Sequence, residues 1–275
     1  MTAALSERML RPRATYHRVM GPSSDVLRAF GVREMPFRLE GGQGTTWRSE
    51  DVVLKPVDLP THVLNWLDID VRRHVTPSEL RLSLPIRSRS GDFVVDGWTA
   101  FPALVGTHPV DRWLEVADVA RKFSASLDGL DVPDLTTGRT DSWARADRFA
   151  WGEEELRDCS HSSLIRALVA ARRPLDAAPH VVHGDLTGNV LFAPSLPPAV
   201  IDLTLYWRPV EYSVAVIAVD AVCCEGASLS LFKTISAATD FYQHLVRALL
   251  FRIATDVLRG GADERVYSDA VRAAL

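Results

Sequence analysis

Lysine is the scarcest charged residue of this chain, with three lysines against twenty-eight arginines. A lysine inside a motif therefore stands where the sequence has preferred a compact ammonium to its usual guanidinium. Cysteine is equally rare. Cys159 and the adjacent pair Cys223-Cys224 form neither a disulfide framework nor a zinc spacing, and they read as reduced thiols of a cytoplasmic protein. No apolar run approaches the ~20 residues of a membrane span, since even Val214-Ala215-Val216-Ile217-Ala218-Val219 stops at Asp220. Met1 to Arg13 carry charge where a signal peptide needs an apolar core. A basic excess is missing too, because the formal net charge is −4, which gives no electrostatic case for nucleic acid. Nor is there a G-x-S-x-G elbow to support an α/β-hydrolase. The expected partners therefore include neither nucleic acid nor membrane.

The chemistry-bearing residues concentrate in His183-Gly184-Asp185-Leu186-Thr187-Gly188-Asn189, with Val200-Ile201-Asp202 downstream. Val181-Val182 leads into the first loop, Val190-Leu191-Phe192 leaves it, and Ala199-Val200-Ile201 delivers Asp202 thirteen residues after Asn189. Two carboxylates and a carboxamide thus sit on short loops between β-type runs. That set suits phosphoryl transfer: one Asp can accept the proton of an attacking hydroxyl, while Asn189 and Asp202 offer hard oxygen ligands to Mg²⁺. An H-G-D in a loop can also be only a turn, with Gly relaxing the backbone and Asp capping the residues after it.

A second motif lies far upstream. Phe37-Arg38-Leu39-Glu40-Gly41-Gly42-Gln43-Gly44-Thr45-Thr46-Trp47-Arg48, then Asp51-Val52-Val53-Leu54-Lys55, reads as strand, glycine loop, strand, turn and strand. Backbone amides of Gly41, Gly42, Gln43 and Gly44 can approach phosphate oxygens without side-chain interference, and Lys55 can pair with the same phosphates. The segment from Thr61 to Arg73 reads as the next helix. It contains no Glu, and Asp68 and Asp70 lie about 200° apart around a helix of ~3.6 residues per turn, so at most one can face Lys55. Asp68, four residues after Leu64, is the better candidate, with two solvated helix carboxylates the equal alternative.

Organisation follows a change of period. From about Pro36 to Phe101 the runs are short, alternating or β-branched, with turn signals at Ser49-Glu50-Asp51 and a Ser90-Gly91-Asp92 hairpin before Phe93-Val94-Val95. From Val110 onward helical spacing dominates, beginning with Trp113, Val116, Ala117, Ala120, Phe123 and Leu127. After the interrupting strands, helices are expected around 211–225, 237–259 and 262–274. An acidic region, Asp141, Asp147, Glu153-Glu154-Glu155 and Asp158, could receive a cationic molecule or be a solvated face. Trp143, Trp151 and Trp207 could cover an ammonium group or belong to the core.

The HGDLTGNVLF and VID segments resemble the catalytic loop and metal segment of the aminoglycoside phosphotransferase and choline kinase-like family. The family pattern is H-G-D-x-x-x-x-N with I-D-W or I-D-F. Here the Asp-to-Asn interval is four residues instead of five, Leu203 follows Asp202, and the later G-D-P-x-x-D is represented only by Arg208-Pro209-Val210-Glu211-Tyr212. The resemblance implies an α+β, bilobal, protein-kinase-like fold. Its small antiparallel-sheet N-terminal lobe would span 1–105 and its larger, mainly helical C-terminal lobe 106–275. Asp185 would be the catalytic base, Asn189 and Asp202 the metal ligands, Lys55 the phosphate-binding lysine and Gly41, Gly42, Gln43 and Gly44 the phosphate cover. His183 would hold the loop, and Ala103 and Leu104 would lie at the hinge that receives adenine. The implied activity is transfer of the γ-phosphate of ATP, with Mg²⁺, to a hydroxyl of a small molecule such as an aminoglycoside-like antibiotic, amino alcohol or sugar. Substrate groups would come from the helical lobe, with Tyr206-Trp207-Arg208-Pro209 nearest the metal. A non-catalytic kinase-like nucleotide-binding or regulatory protein is the alternative, favoured by the shortened loop and the missing helix Glu.

Overall fold

The computed structural model describes residues 21–39, 44–136, 138–261 and 263–275. Its N-terminal part is built on a four-stranded antiparallel sheet in the order β1 (Phe37–Arg38), β2 (Trp47–Ser49), β3 (Val52–Pro56), β5 (Trp98–Pro102). The β-branched run Val52-Val53 suits this pleated surface. Ser49 pairs with Val52, so the predicted Ser49-Glu50-Asp51 turn closes a two-residue hairpin, with Glu50 in the left-handed region at φ 37°. Helix α1 (Ser24–Ala29) covers one face of the sheet. Ser23 caps it by accepting from Val26 N at 3.3 Å, and Val26 and Phe30 pack with Leu54, Trp98 and Ala100 in a small core.

The approach to β5 differs from the sequence reading. A turn does form at Ser90-Gly91-Asp92, where Ser88 N donates to Asp92 O at 2.7 Å, but Phe93–Val95 does not become a strand. The chain reverses instead at Asp96-Gly97, both left-handed at φ 48° and 78°, between the bridged residues Val95 and Trp98. Asp-Gly is the pair that tolerates two consecutive positive φ values, so it decides where the hairpin falls.

After β3 the predicted helix forms in three joined pieces: α2 (Thr61–Trp66), a π-helical turn (Leu67–Val71) and α3 (Arg72–His74). β4 (Arg81–Leu82) then pairs in parallel with β8 (Leu196–Val200), whose other edge holds β7 (Val190–Ala193). β6 (His180–His183) pairs with β9 (Leu205–Arg208). These short strands are embedded among helices α4 (Trp113–Ala125), α5 (Ser142–Trp151), α6 (Ser163–Ala171), α7 (Val210–Cys224), α8 (Leu231–Thr234), α9 (Phe241–Leu258) and α10 (Ser268–Ala274). The three expected C-terminal helical regions correspond to α7, α9 and α10.

α9 is the centre of the larger core. Every residue from Gln243 to Thr255 is buried, and the helix packs on α5 and α7. α7 is buried from Tyr212 to Ala221. With neighbours on every face both helices are largely apolar all round, although α9 also buries Gln243, His244, Arg247 and Arg252. Among the described residues, no helix is long and apolar enough to cross a membrane.

Candidate active site

The site is assembled where β3, β6, β7 and β8 end. β6 ends at His183, the loop runs through Asp185 to Asn189, β7 carries the chain away and β8 returns it to Asp202, as the spacing in the sequence suggested. The β7–β8 ladder sets the register: Val190 faces Val200, and Ile201 N donates to Asn189 O at 3.0 Å. Asn189 and Asp202 are thereby brought to neighbouring ends of one ladder although thirteen residues separate them.

Lys55 projects from β3 into this region, and its Nζ lies 2.5 Å from Asp202 Oδ1 and 2.6 Å from Asp58 Oδ2. Burial works against the ammonium, but Asp58 and Asp202 outweigh it and raise its pKa. Burial likewise pushes the Asp202 carboxyl up, yet Lys55 prevails and holds it below the usual range. The backbone at Asp202 is left-handed, at φ 51°, a conformation that short polar side chains such as Asp tolerate better than most. Asp68 is not the partner of Lys55. It binds Arg72 Nε at 3.0 Å and Arg87 Nε at 2.8 Å. The local residue Asp58, three positions after Lys55, supplies the second carboxylate, and the i,i+3 pair in Lys55-Pro56-Val57-Asp58 was its signal in the sequence.

His183 is fully built into the loop. Asp185 N donates to Nδ1 at 3.1 Å, Nε2 lies 3.2 Å from Ile201 O, and Ser213 Oγ donates to the His183 carbonyl at 2.6 Å. With Nδ1 accepting, Nε2 carries the proton and donates to Ile201. Burial lowers the pKa of His183 and keeps the ring neutral. Ser213 fastens α7 to the loop. Gly184 is required by contact: a Cβ there would lie 2.4 Å from the ring of Tyr206.

The shortened interval between Asp185 and Asn189 closes through Gly188, whose φ is 80°. Asn189 Nδ2 donates to Asp185 O at 2.6 Å, which turns the amide so that its oxygen points the other way. Asn189 Oδ1 and the Asp202 carboxylate are hard donors of the kind Mg²⁺ takes, and an ion that keeps several waters and phosphate oxygens needs only one or two such protein ligands. The donor set therefore fits that ion.

Asp185 is also paired, with a residue that sequence reasoning missed. Arg252 of α9 donates from Nη2 to Asp185 Oδ1 at 2.6 Å, and its Nε reaches Asp220 Oδ1 of α7 at 2.7 Å. Burial opposes the charge of Arg252, but Asp220 and Asp185 dominate and raise its pKa well above the arginine range. No motif marks Arg252 in the sequence; its one signal is a charge inside an apolar helix.

Of the glycine loop, Gly41, Gly42 and Gln43 lie outside the described residues. Gly44 is left-handed at φ 68°, and its carbonyl accepts from Arg38 Nε. At the expected hinge the Ala103 amide is used by Asp51 O at 2.8 Å, and Gly106 lies so close to β7 that a Cβ would meet Leu191 Cβ at 2.8 Å. Much of the acidic region is paired with the chain's own arginines. Asp147 and Glu153 each bind Arg208 at 2.6 Å, and Glu154 binds Arg145 and Arg148, both at 2.8 Å. Arg259 covers Trp143, while Arg208 and Arg247 lie over Trp151. Trp207, beside the metal segment, is 46% exposed.

No protein-family model and no curated protein matches the chain. Solved structures do. A thermostable mutant of the aminoglycoside phosphotransferase APH(4)-Ia, in a ternary complex with ADP and hygromycin B, aligns with a TM-score of 0.56 at 14% identity, covering 91% of this chain and 95% of that one. The choline kinase LicA from Streptococcus pneumoniae aligns with a TM-score of 0.55 at 11% identity, over 88% and 93% of the two chains. The AMP-bound spectinomycin phosphotransferase APH(9)-Ia gives 0.52 at 14% identity, over 91% and 96%. The chain thus has the α+β, protein-kinase-like fold of small-molecule phosphotransferases.

Proposed function

We propose that this chain is an ATP- and Mg²⁺-dependent phosphotransferase that moves the γ-phosphate to a hydroxyl of a small molecule. The observation that carries the reading is the meeting of Lys55 with Asp202, 147 positions apart in sequence, beside the loop bearing Asp185 and Asn189. The fold shared with aminoglycoside and choline kinases supports it. The working division is a phosphate-binding lobe up to residue 105 and a catalytic and acceptor-binding lobe from 106 onward.

In this reading Lys55 turns from its carboxylates to the nucleotide phosphates, and Gly41, Gly42, Gln43 and Gly44 lie over them. Asn189 and Asp202 hold the metal, which would neutralise charge developing on the phosphates. Asp185 orients the acceptor hydroxyl and takes its proton. This chemistry rests mostly on positioning and charge neutralisation, so the base need not be strong. The acceptor is an amino alcohol, sugar or antibiotic-like molecule. Recognition through the acidic stretch 141–158 is disfavoured because arginines already occupy its main carboxylates, which leaves the exposed face of Trp207 as the better place to look.

The shortened Asp185–Asn189 loop and a helix after β3 that has no Glu and whose Asp68 is taken by Arg72 and Arg87 favour a second reading, a non-catalytic nucleotide-binding protein. Thermal shift and turnover separate the two. Nucleotide at a hundred times its Kd stabilises a fold by roughly 2.7 kcal/mol. The melting temperature should rise with ATP plus Mg²⁺ and much less with ATP plus chelator; equal shifts would remove the metal site as drawn. Binding without phosphorylation of any acceptor in an amino-alcohol, sugar and antibiotic panel would install the non-catalytic reading.

A further inference from the structure

Asp185 reaches the site with one oxygen already engaged. Its Oδ1 accepts from Arg252 Nη2 at 2.6 Å, whereas no hydrogen bond is made by Oδ2 among the described residues, and the side chain is 31% exposed. Arg252 is itself buried and doubly bound. It is 8% exposed on a helix that is buried all round, and Asp220, 9% exposed on the neighbouring α7, binds it at both Nε and Nη2. One guanidinium nitrogen therefore serves two carboxylates, one hydrogen for each, in the fixed plane that arginine imposes and lysine does not.

We propose that Arg252, braced by Asp220, is a positioning residue that pins Asp185 through Oδ1 and so assigns Oδ2 as the oxygen that meets the acceptor hydroxyl. The inference rests on the phosphotransferase reading above. In the step it serves, the acceptor oxygen bonds to the γ-phosphorus as the bond to ADP breaks, and the hydroxyl proton passes to Asp185 Oδ2. Because Oδ1 is tied from the protein interior, the carboxylate cannot rotate freely. A buried carboxylate left without its arginine would also endanger the fold, so Asp220 belongs to the same device.

The test uses the full chain with water as acceptor, following ADP formation from ATP and Mg²⁺, together with the Kd of ADP·Mg²⁺ by calorimetry. Arg252→Met/Asp220→Asn removes the positive and negative charges together and is the variant expected to keep the fold. Its kcat should fall at least tenfold, while the KM for ATP and the Kd for ADP stay within about twofold. Arg252→Lys, which keeps the buried charge but not the planar fork, should give an intermediate kcat with the same unchanged KM. A merely structural brace would move KM and kcat together. Wild-type kcat in either folded variant, or parallel loss of nucleotide affinity, overturns the assignment of Arg252. Wild-type protein that binds ADP·Mg²⁺ but forms no ADP from ATP, with water and with every acceptor of the amino-alcohol, sugar and antibiotic panel, overturns the phosphotransferase reading, and this inference with it.

Discussion

The two charged clusters of the site are built in opposite ways. Lys55 is a buried cation held by carboxylates whose side chains are 51% and 43% exposed, those of Asp58 and Asp202. Asp185 is a partly exposed carboxylate held by a buried cation, Arg252, which a buried Asp220 braces; these two side chains are 10% and 12% exposed. Exposed ion pairs are worth about 0–1 kcal/mol and exchange readily, because water replaces either partner. A broken buried pair leaves a charge with no compensation. The lysine cluster, whose carboxylates face solvent, is therefore the more exchangeable half. The aspartate cluster is the fixed half.

The largest expected effect lies at the fixed half. Asp185→Asn should lower turnover of a verified acceptor by about two to four orders of magnitude, the usual worth of general acid–base catalysis, and leave Mg²⁺-nucleotide affinity nearly intact. Lys55→Ala and Asp202→Ala should instead weaken nucleotide binding. Normal turnover in Asp185→Asn would end its assignment as base.

Stability offers the most direct contrast between the halves. Arg252→Met alone strands Asp220 in the core and should cost about 3–5 kcal/mol in denaturant unfolding. Asp58→Asn should cost no more than about 1 kcal/mol. Equal losses would erase the distinction drawn between the clusters.

Acid should reach the fixed half through α9 itself. His244 of that helix is 3% exposed, and burial followed by the nearby Arg247 pushes its pKa down to about 4. The folded state thus binds this proton less readily than the unfolded chain, so the stabilisation is complete above the unfolded pKa near 6.5 and is lost as pH falls through the folded value. At ~1.4 kcal/mol per unit the loss is roughly 3 kcal/mol. His244→Gln should flatten that part of the stability profile; an unchanged slope would place the acid sensitivity elsewhere.

The loop between the halves should respond less than the fixed half. Gly188 has open space around it, so a side chain there meets only the penalty of its left-handed backbone, about 1–2 kcal/mol. Gly188→Val should cost that much stability and weaken Mg²⁺-nucleotide binding by about tenfold without removing a ligand. Wild-type affinity in this variant would mean that Asn189 does not depend on the turn.

How legible each feature was followed from the range of the interactions that fix it. The placement of Lys55, Asp185, Asn189 and Asp202 could be read, whatever their roles, because local runs of β-type residues set each of them in or beside a strand end. Gly188 could be read because one missing loop residue demands an unusual backbone conformation. Asp68 misled because a helix face was judged from spacing alone, whereas Arg72 and Arg87 claim its carboxylate. Asp96-Gly97 was passed over for Ser90-Gly91-Asp92, although Asp-Gly is the stronger hairpin pair. Arg252 and Asp220 were beyond reach. Their pairing depends on how α9 packs against α7, and nothing local in either helix announces it.

α9 gives the protein an unusual inheritance problem. Residues Gln243 to Thr255 have no solvent face on which substitutions can accumulate harmlessly, and Arg252 rides on that same segment. Sequence drift in the interior of α9 is therefore constrained by packing, on the same helix whose guanidinium pairs with Asp185. Laboratory evolution toward heat resistance would meet the same coupling. On the proposed function, improved packing along this helix would trade against turnover, and substitutions in the exposed strand β1 would offer the freer route.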